Sequence, residues 1–176
     1  MPLTTNQRQA ATIRVVSLIN YRQLEAGAVC LLLGVLVYVI ARPEGALFLP
    51  AVFNLSQYFP ALFISLTGPL PVFFHVLGLS LLSAAVLAPG KHTTISICLS
   101  WAVINGLFEL GQHTATYAWF SAQLPAGFQD IWLIEQTLRY FNHGTFDPAD
   151  LAAILLAAAI AYPIIRRTTQ LRSGRS

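Results

Sequence analysis

The sequence predicts an all-α membrane protein: one polytopic bundle of about four transmembrane helices, with interfacial or re-entrant segments between them. Three observations predict it. First, 56% of the 176 residues are hydrophobic and only 10% are charged, where a water-soluble domain carries roughly a quarter charged residues. The mean hydropathy is +0.64, so most of the surface is suited to lipid. Second, four apolar runs, 24–41, 69–88, 94–112 and 151–165, meet or approach the ~20 residues that cross a hydrocarbon core. Third, the basic residues flank these runs unevenly, as they do in membrane proteins of fixed orientation.

Taken in order, 1–22 is polar and holds Arg8, Arg14 and Arg22. The run 24–41 is too long for a signal-peptide core and no clear small-residue cleavage site follows it, so it reads as a retained transmembrane helix. Segment 43–68 is rich in aromatics, among them Phe48, Phe53, Tyr58 and Phe63, but is broken by Pro50 and Pro60 and carries Asn54, Ser56 and Gln57. Amphipathic aromatics favour the headgroup level, so an interfacial or re-entrant segment is expected; a fifth span is the competing reading. The second span opens on Pro69 and Pro71. After the third, 113–146 is again aromatic, with Tyr117, Trp119, Phe120, Phe128, Trp132, Tyr140 and Phe141. Within it 131–141 predicts a short interfacial helix, on which Glu135 and Arg139 pair at i,i+4. The last span is announced by Thr145-Phe146-Asp147-Pro148-Ala149-Asp150. Asp147 suits the N-cap, Pro148 the first helical position, and Asp150 the positive end of the helix dipole. The whole chain, 1–176, reads as a single integral membrane domain.

Four spans with the N-terminus in the cytoplasm put Arg8, Arg14, Arg22, Lys91, Arg166, Arg167, Arg172 and Arg175 inside and leave only Arg42 and Arg139 of the ten basic residues outside. Both termini are then cytoplasmic. A fifth span in 43–68 would move the later loops to the wrong side.

The net charge of +3 carries no nucleic-acid signal, because its basic residues flank apolar runs. Cys30 and Cys98 lie inside such runs and give neither a disulfide framework nor a metal spacing. The chain has no HExxH, GxSxG or Walker sequence. His75, Glu109, His113 and Asp150 are of types that bind zinc, but their spacing matches no zinc signature. No cofactor and no metal is expected.

The polar residues inside or at the ends of the spans mark the candidate site. In the four-span topology the third span ends outside, near Glu109 and Gln112. The fourth begins outside, near Asp147 and Asp150. His75 lies about 9 Å into the second span. Asn105, Glu109 and His113 recur at helical spacing, with Gln112 three residues after Glu109, so one helix face is expected to be polar. A carboxylate at membrane depth is costly and faces a protein interior or a watery cavity. Pairing with Arg139 is the simplest structural role for Glu109; capping is that of Asp147 and Asp150.

His75 early in one span, Glu109-Leu110-Gly111-Gln112 ending the next and Gly144-Thr145-Phe146-Asp147-Pro148-Ala149-Asp150-Leu151 opening the last resemble the VanZ-like family of small bacterial inner-membrane proteins. The resemblance runs from Pro69 to about Tyr162. The family's Glu-x-x-Gln corresponds to Glu109 and Gln112, and its aspartate at the start of the last helix to Asp150. The chain departs from the family in two places. The nearest arginine after Gln112 is Arg139, behind an aromatic insertion, and Ile154 and an alanine-rich stretch stand where the family carries asparagine and then glycine. The resemblance implies a protein of the bacterial inner membrane and cell envelope, linked to resistance to lipoglycopeptides such as teicoplanin. It would bind or act on a membrane lipid or lipid-linked envelope molecule at the outer leaflet. Glu109 would be the central acid/base or hydrogen-bond acceptor, with Asp150 the second catalytic candidate. Gln112 and His75 would orient the ligand and Asp147 would help shape the mouth, and their placement adds Asn105, His113 and Arg139 to the ligand-binding candidates. The alternative is a non-catalytic assembly subunit whose polar residues serve helix packing, with a protein partner or a second copy of the chain bound to it.

Overall fold

The structure is a computed structural model that describes residues 19–41, 68–125 and 127–173. It contains α1 (Tyr21–Ala41), α2 (Leu70–Leu87), α3 (Lys91–Gly111), α4 (Thr114–Gln123), a 3-10 turn (Phe128–Asp130), α5 (Trp132–His143) and α6 (Pro148–Ser173), with no strand among the described residues. Four of these helices, α1, α2, α3 and α6, are long and apolar enough to cross a membrane. Among the described residues the architecture is therefore all-α, with four candidate spans. Segment 43–68, expected to be interfacial or re-entrant, lies outside the described residues except for Gly68, and so does 1–18.

Local chemistry sets the helix ends. Pro69 and Pro71 open α2, where a missing N–H costs no helical hydrogen bond. Ala88 closes it in the left-handed region at φ 44°, its N–H bonded to the carbonyl of Ala84 at 3.0 Å. Pro89 and Gly90 complete a short turn, and Thr94 returns its hydroxyl to the Gly90 carbonyl at 2.8 Å in the first turn of α3. Such a short connection makes α2 and α3 antiparallel neighbours. The last helix outruns its predicted span of 151–165, because hydropathy marks the depth of lipid and not the end of a helix. Arg166, Arg167 and Thr168 continue the backbone ladder, and Pro163 does not end it.

The core lies between α2, α3 and α6. Val76, Leu81 and Ala84 of α2 meet Ile97, Cys98 and Ala102 of α3 and Ile154, Ala157, Ala161 and Ile165 of α6. Alanines on α6 let the helices approach closely, the means by which helices associate when lipid is as apolar as their side chains. Trp101 adds a bond from its indole N–H to Ser83 Oγ at 2.9 Å across α2 and α3. Helix α1 packs on the other side of α2 through two glycines. A Cβ on Gly27 would stand 2.9 Å from the Gly78 carbonyl oxygen, and one on Gly78 would stand 2.9 Å from that of Gly27. Leu32, Val35, Leu99, Val103, Leu107 and Leu155 are exposed, an outer surface fit for hydrocarbon. Cys30 and Cys98 are free thiols.

At one end of the bundle α1 is tied to α2 and α6. The Asn20 N–H bonds the Ala85 carbonyl at 2.9 Å. Gln23, 1% exposed, donates its amide to Thr168 Oγ1 at 2.7 Å, Thr169 Oγ1 at 3.2 Å and the Ile165 carbonyl at 3.3 Å. Arg22, Lys91, Arg166 and Arg167 sit at this end. Glu109, Glu135, Asp147 and Asp150 sit at the other, where α3 ends and α6 begins.

Candidate site at the end of helices α3 and α6

Helix α3 ends in a tightened turn. The N–H groups of Gln112 and His113 bond the carbonyls of Glu109 and Leu110, three residues back, at 3.1 Å each. This turn leaves Glu109 on the inner face, 4% exposed. One carboxylate oxygen, Oε1, accepts the backbone N–H of Asp147 at 2.7 Å. The other, Oε2, accepts the Gln112 side-chain amide at 3.0 Å. Glu109 thus joins the last turn of α3 to the residue that opens α6. Its charge lies at the positive end of the α6 dipole, the favourable place for an anion.

Asp147 is itself the cap of α6: its Oδ1 accepts the N–H of Ala149 at 2.8 Å, and its carbonyl accepts that of Asp150 at 3.0 Å. Asp150 follows in the first turn and is 8% exposed. Two buried carboxylates from two packed helices therefore stand at one end of the bundle.

Helix α5 supplies the cover. The Gln112 amide also reaches Tyr140 Oη at 3.3 Å. The Phe108 ring meets Tyr140 at 6.0 Å and Phe141 at 5.7 Å between centroids, edge to face, and Phe120 of α4 meets Phe141 at 6.3 Å. Two glycines make room. A Cβ on Gly111 would run into the Phe141 ring, and one on Gly144 into the side chain of Gln112. The absence of side chains at these two positions lets the segment 140–147 lie close against the end of α3 with Phe141 and Gln112 where they are.

Four of the predicted residues, Glu109, Gln112, Asp147 and Asp150, come together here. The other four do not join them in one hydrogen-bonded group. Asn105, a turn deeper, turns back to the Trp101 carbonyl of its own helix at 2.8 Å. His113 leaves the predicted polar face because α3 stops at Gly111; in extended conformation it begins α4, exposed, with its ring 5.4 Å from that of Phe146. Arg139 pairs with Glu135 at 2.9 Å on the exposed side of α5, the expected i,i+4 pair, and so does not serve Glu109. His75 is half-buried in α2 and makes no hydrogen bond or ion pair among the described residues. No group of three His, Cys, Asp or Glu side chains among the described residues is placed to hold a metal ion.

Sequence reasoning missed Tyr140, Phe141 and Gly144 as parts of the site. The signal for Gly144 was its place just ahead of the Asp147 cap; the aromatics were lost among the many of 113–146. Chemically, the site joins the Glu109 carboxylate, the Gln112 amide and the Tyr140 phenol at the end of an apolar bundle, and the Tyr140 ring packs in turn on Phe108.

No family model matches the chain, and neither curated proteins nor solved structures provide a match.

Proposed function

We propose that this chain is a VanZ-like protein of the bacterial inner membrane that binds a lipid or lipid-linked envelope molecule at the outer leaflet, with Glu109 as the central hydrogen-bonding group. The observation that supports this reading is the burial of two carboxylates at one end of the bundle, Glu109 at 4% and Asp150 at 8% exposed. An ionisable group held out of water at membrane depth is expensive and marks function more often than packing. Gln112 and Tyr140 orient the headgroup; Glu109 and Asp150 are the groups on which a proton transfer would fall. Charge segregation supports the orientation. Arg22, Lys91, Arg166 and Arg167 lie at the end away from Glu109, with Arg139 alone among the described basic residues at the Glu109 end, a bias that by the positive-inside rule favours a cytoplasmic basic end and an outer Glu109 end.

One observation favours a structural reading: both oxygens of Glu109 accept hydrogen bonds from within the chain. In that reading the carboxylate fastens α3 to α6 in a non-catalytic assembly subunit.

Teicoplanin tolerance of a susceptible bacterium producing the protein tests the proposal. Wild type is expected to raise the tolerated concentration. Glu109→Gln is expected to abolish that rise at an unchanged amount of protein in the membrane. Equal tolerance with wild type, Glu109→Gln and an empty control would remove the resistance link and leave the structural reading.

A further inference from the structure

Helix α4, the 3-10 turn and α5 form an arm at the Glu109 end that is amphipathic, exposing large apolar side chains beside polar ones such as Gln123, Gln129 and Asn142. Trp119 is 65% exposed, Phe128 48%, Ile131 48%, Trp132 66% and Leu133 66%. Helix α4 contains no charged residue. The two charges of α5, Glu135 and Arg139, neutralise one another in an ion pair at 2.9 Å. Asp130 is the remaining charge of 113–146, so with neutral histidines the segment sums to −1.

We propose that this arm docks in the lipid headgroup layer of the leaflet at the Glu109 end and lies along it. Continuity with the spanning surface identifies the occupant. The exposed Leu107 and Leu110 of α3 belong to the lipid-facing belt, and α4 begins three residues after α3 ends. The arm therefore starts where that belt ends. Tryptophan, with an apolar ring and one N–H donor, is the residue type that concentrates at this depth. Interfacial helices often use lysine and arginine to grip anionic lipid; this arm has one arginine and that one is paired. Its docking is apolar and aromatic, and independent of lipid charge. The inference does not depend on what Glu109 binds.

The test uses the full chain in vesicles of phosphatidylcholine, with and without phosphatidylglycerol. Trp101→Phe leaves Trp119 and Trp132 as the fluorophores. An interfacial helix sits about 5–10 Å into the headgroup–acyl boundary, so bromines near the carbonyl end of the acyl chain should quench at least about twofold more than bromines near its tip. The same ratio is expected with and without phosphatidylglycerol. If Trp101→Phe fails to fold, the difference between wild type and Trp119→Phe/Trp132→Phe gives the same reading. Quenching by aqueous iodide with no response to bromines would overturn the proposal in favour of a solvated arm. Protection from both quenchers would overturn it in favour of a protein partner or a second copy.

Discussion

Replacing Glu109 with alanine is expected to cost about 1–3 kcal/mol of stability, with most of the loss at the junction of α3 and α6. Two magnitudes bracket the figure. Interhelical hydrogen bonds in membrane proteins contribute about 0.6 kcal/mol on average and about 1.7 at most. Bonds to a charged acceptor, with a donor left unsatisfied on removal, reach about 1.5–3. Glu109 accepts from the Asp147 N–H at 2.7 Å and from Gln112 at 3.0 Å, and alanine leaves the first of these donors without its acceptor at the start of a helix. Glu109→Gln keeps an oxygen for the Asp147 N–H, and the Gln112 amide can turn to present its own oxygen to the new amide. The isosteric change should therefore cost well under half as much. Unfolding in mixed micelles measures both. A loss of similar size in both variants would mean that the charge at the α6 dipole stabilises the junction, and not the geometry of the hydrogen bonds.

Gly78→Leu is expected to disrupt the packing of α1 on α2 outright. Overpacking costs about 1–3 kcal/mol where side chains can give way, and occasionally more. Here a new Cβ would face a backbone carbonyl, that of Gly27, at 2.9 Å, with Leu31 at 3.0 Å beside it. Backbone cannot rotate aside, so the helices must separate, and the bonds of Asn20 and Gln23 to α2 and α6 go with them. Gly27→Leu meets the same obstacle from the other side. The double variant should be little worse than either single one, because the first separation removes the clash of the second. Gly106 is the control. A Cβ there meets nothing within 4 Å, and Gly106→Ala should stabilise α3 by about 0.5–1 kcal/mol through backbone entropy. Thermal melts and elution profiles of the four proteins decide the matter; an unchanged melt for Gly78→Leu would contradict the crossing.

Much of this architecture could be read before the structure, and the reason differs by element. The spans were legible because hydrocarbon demands length and apolarity of any segment that crosses it. The Asp147 cap and the Glu109–Gln112 bond were legible because both are local, within three residues. Helix α4 was not: Thr114–Gln123 has neither charge nor an apolar stripe to mark its period, and none of its residues is buried. Gln23 was hidden by Arg22, which made it look like one more polar residue flanking a span, though it is 1% exposed. The polar face through Asn105 and His113 was drawn on an unbroken helix. Two bonds three residues long end α3 at Gly111 and send His113 elsewhere. The contact of Glu109 with the Asp147 backbone joins residues 38 apart in sequence and depends on the path of the chain between them, which no periodicity encodes.

Native mass spectrometry of the purified protein, wild type beside Glu109→Gln, tests the binding role of Glu109 most directly. The proposed function predicts a retained lipid or lipid-linked molecule on the wild type that is lost or depleted on the variant, with both proteins equally folded. Identical spectra without an adduct, from equally stable proteins, would contradict it and leave Glu109 as the fastening between α3 and α6.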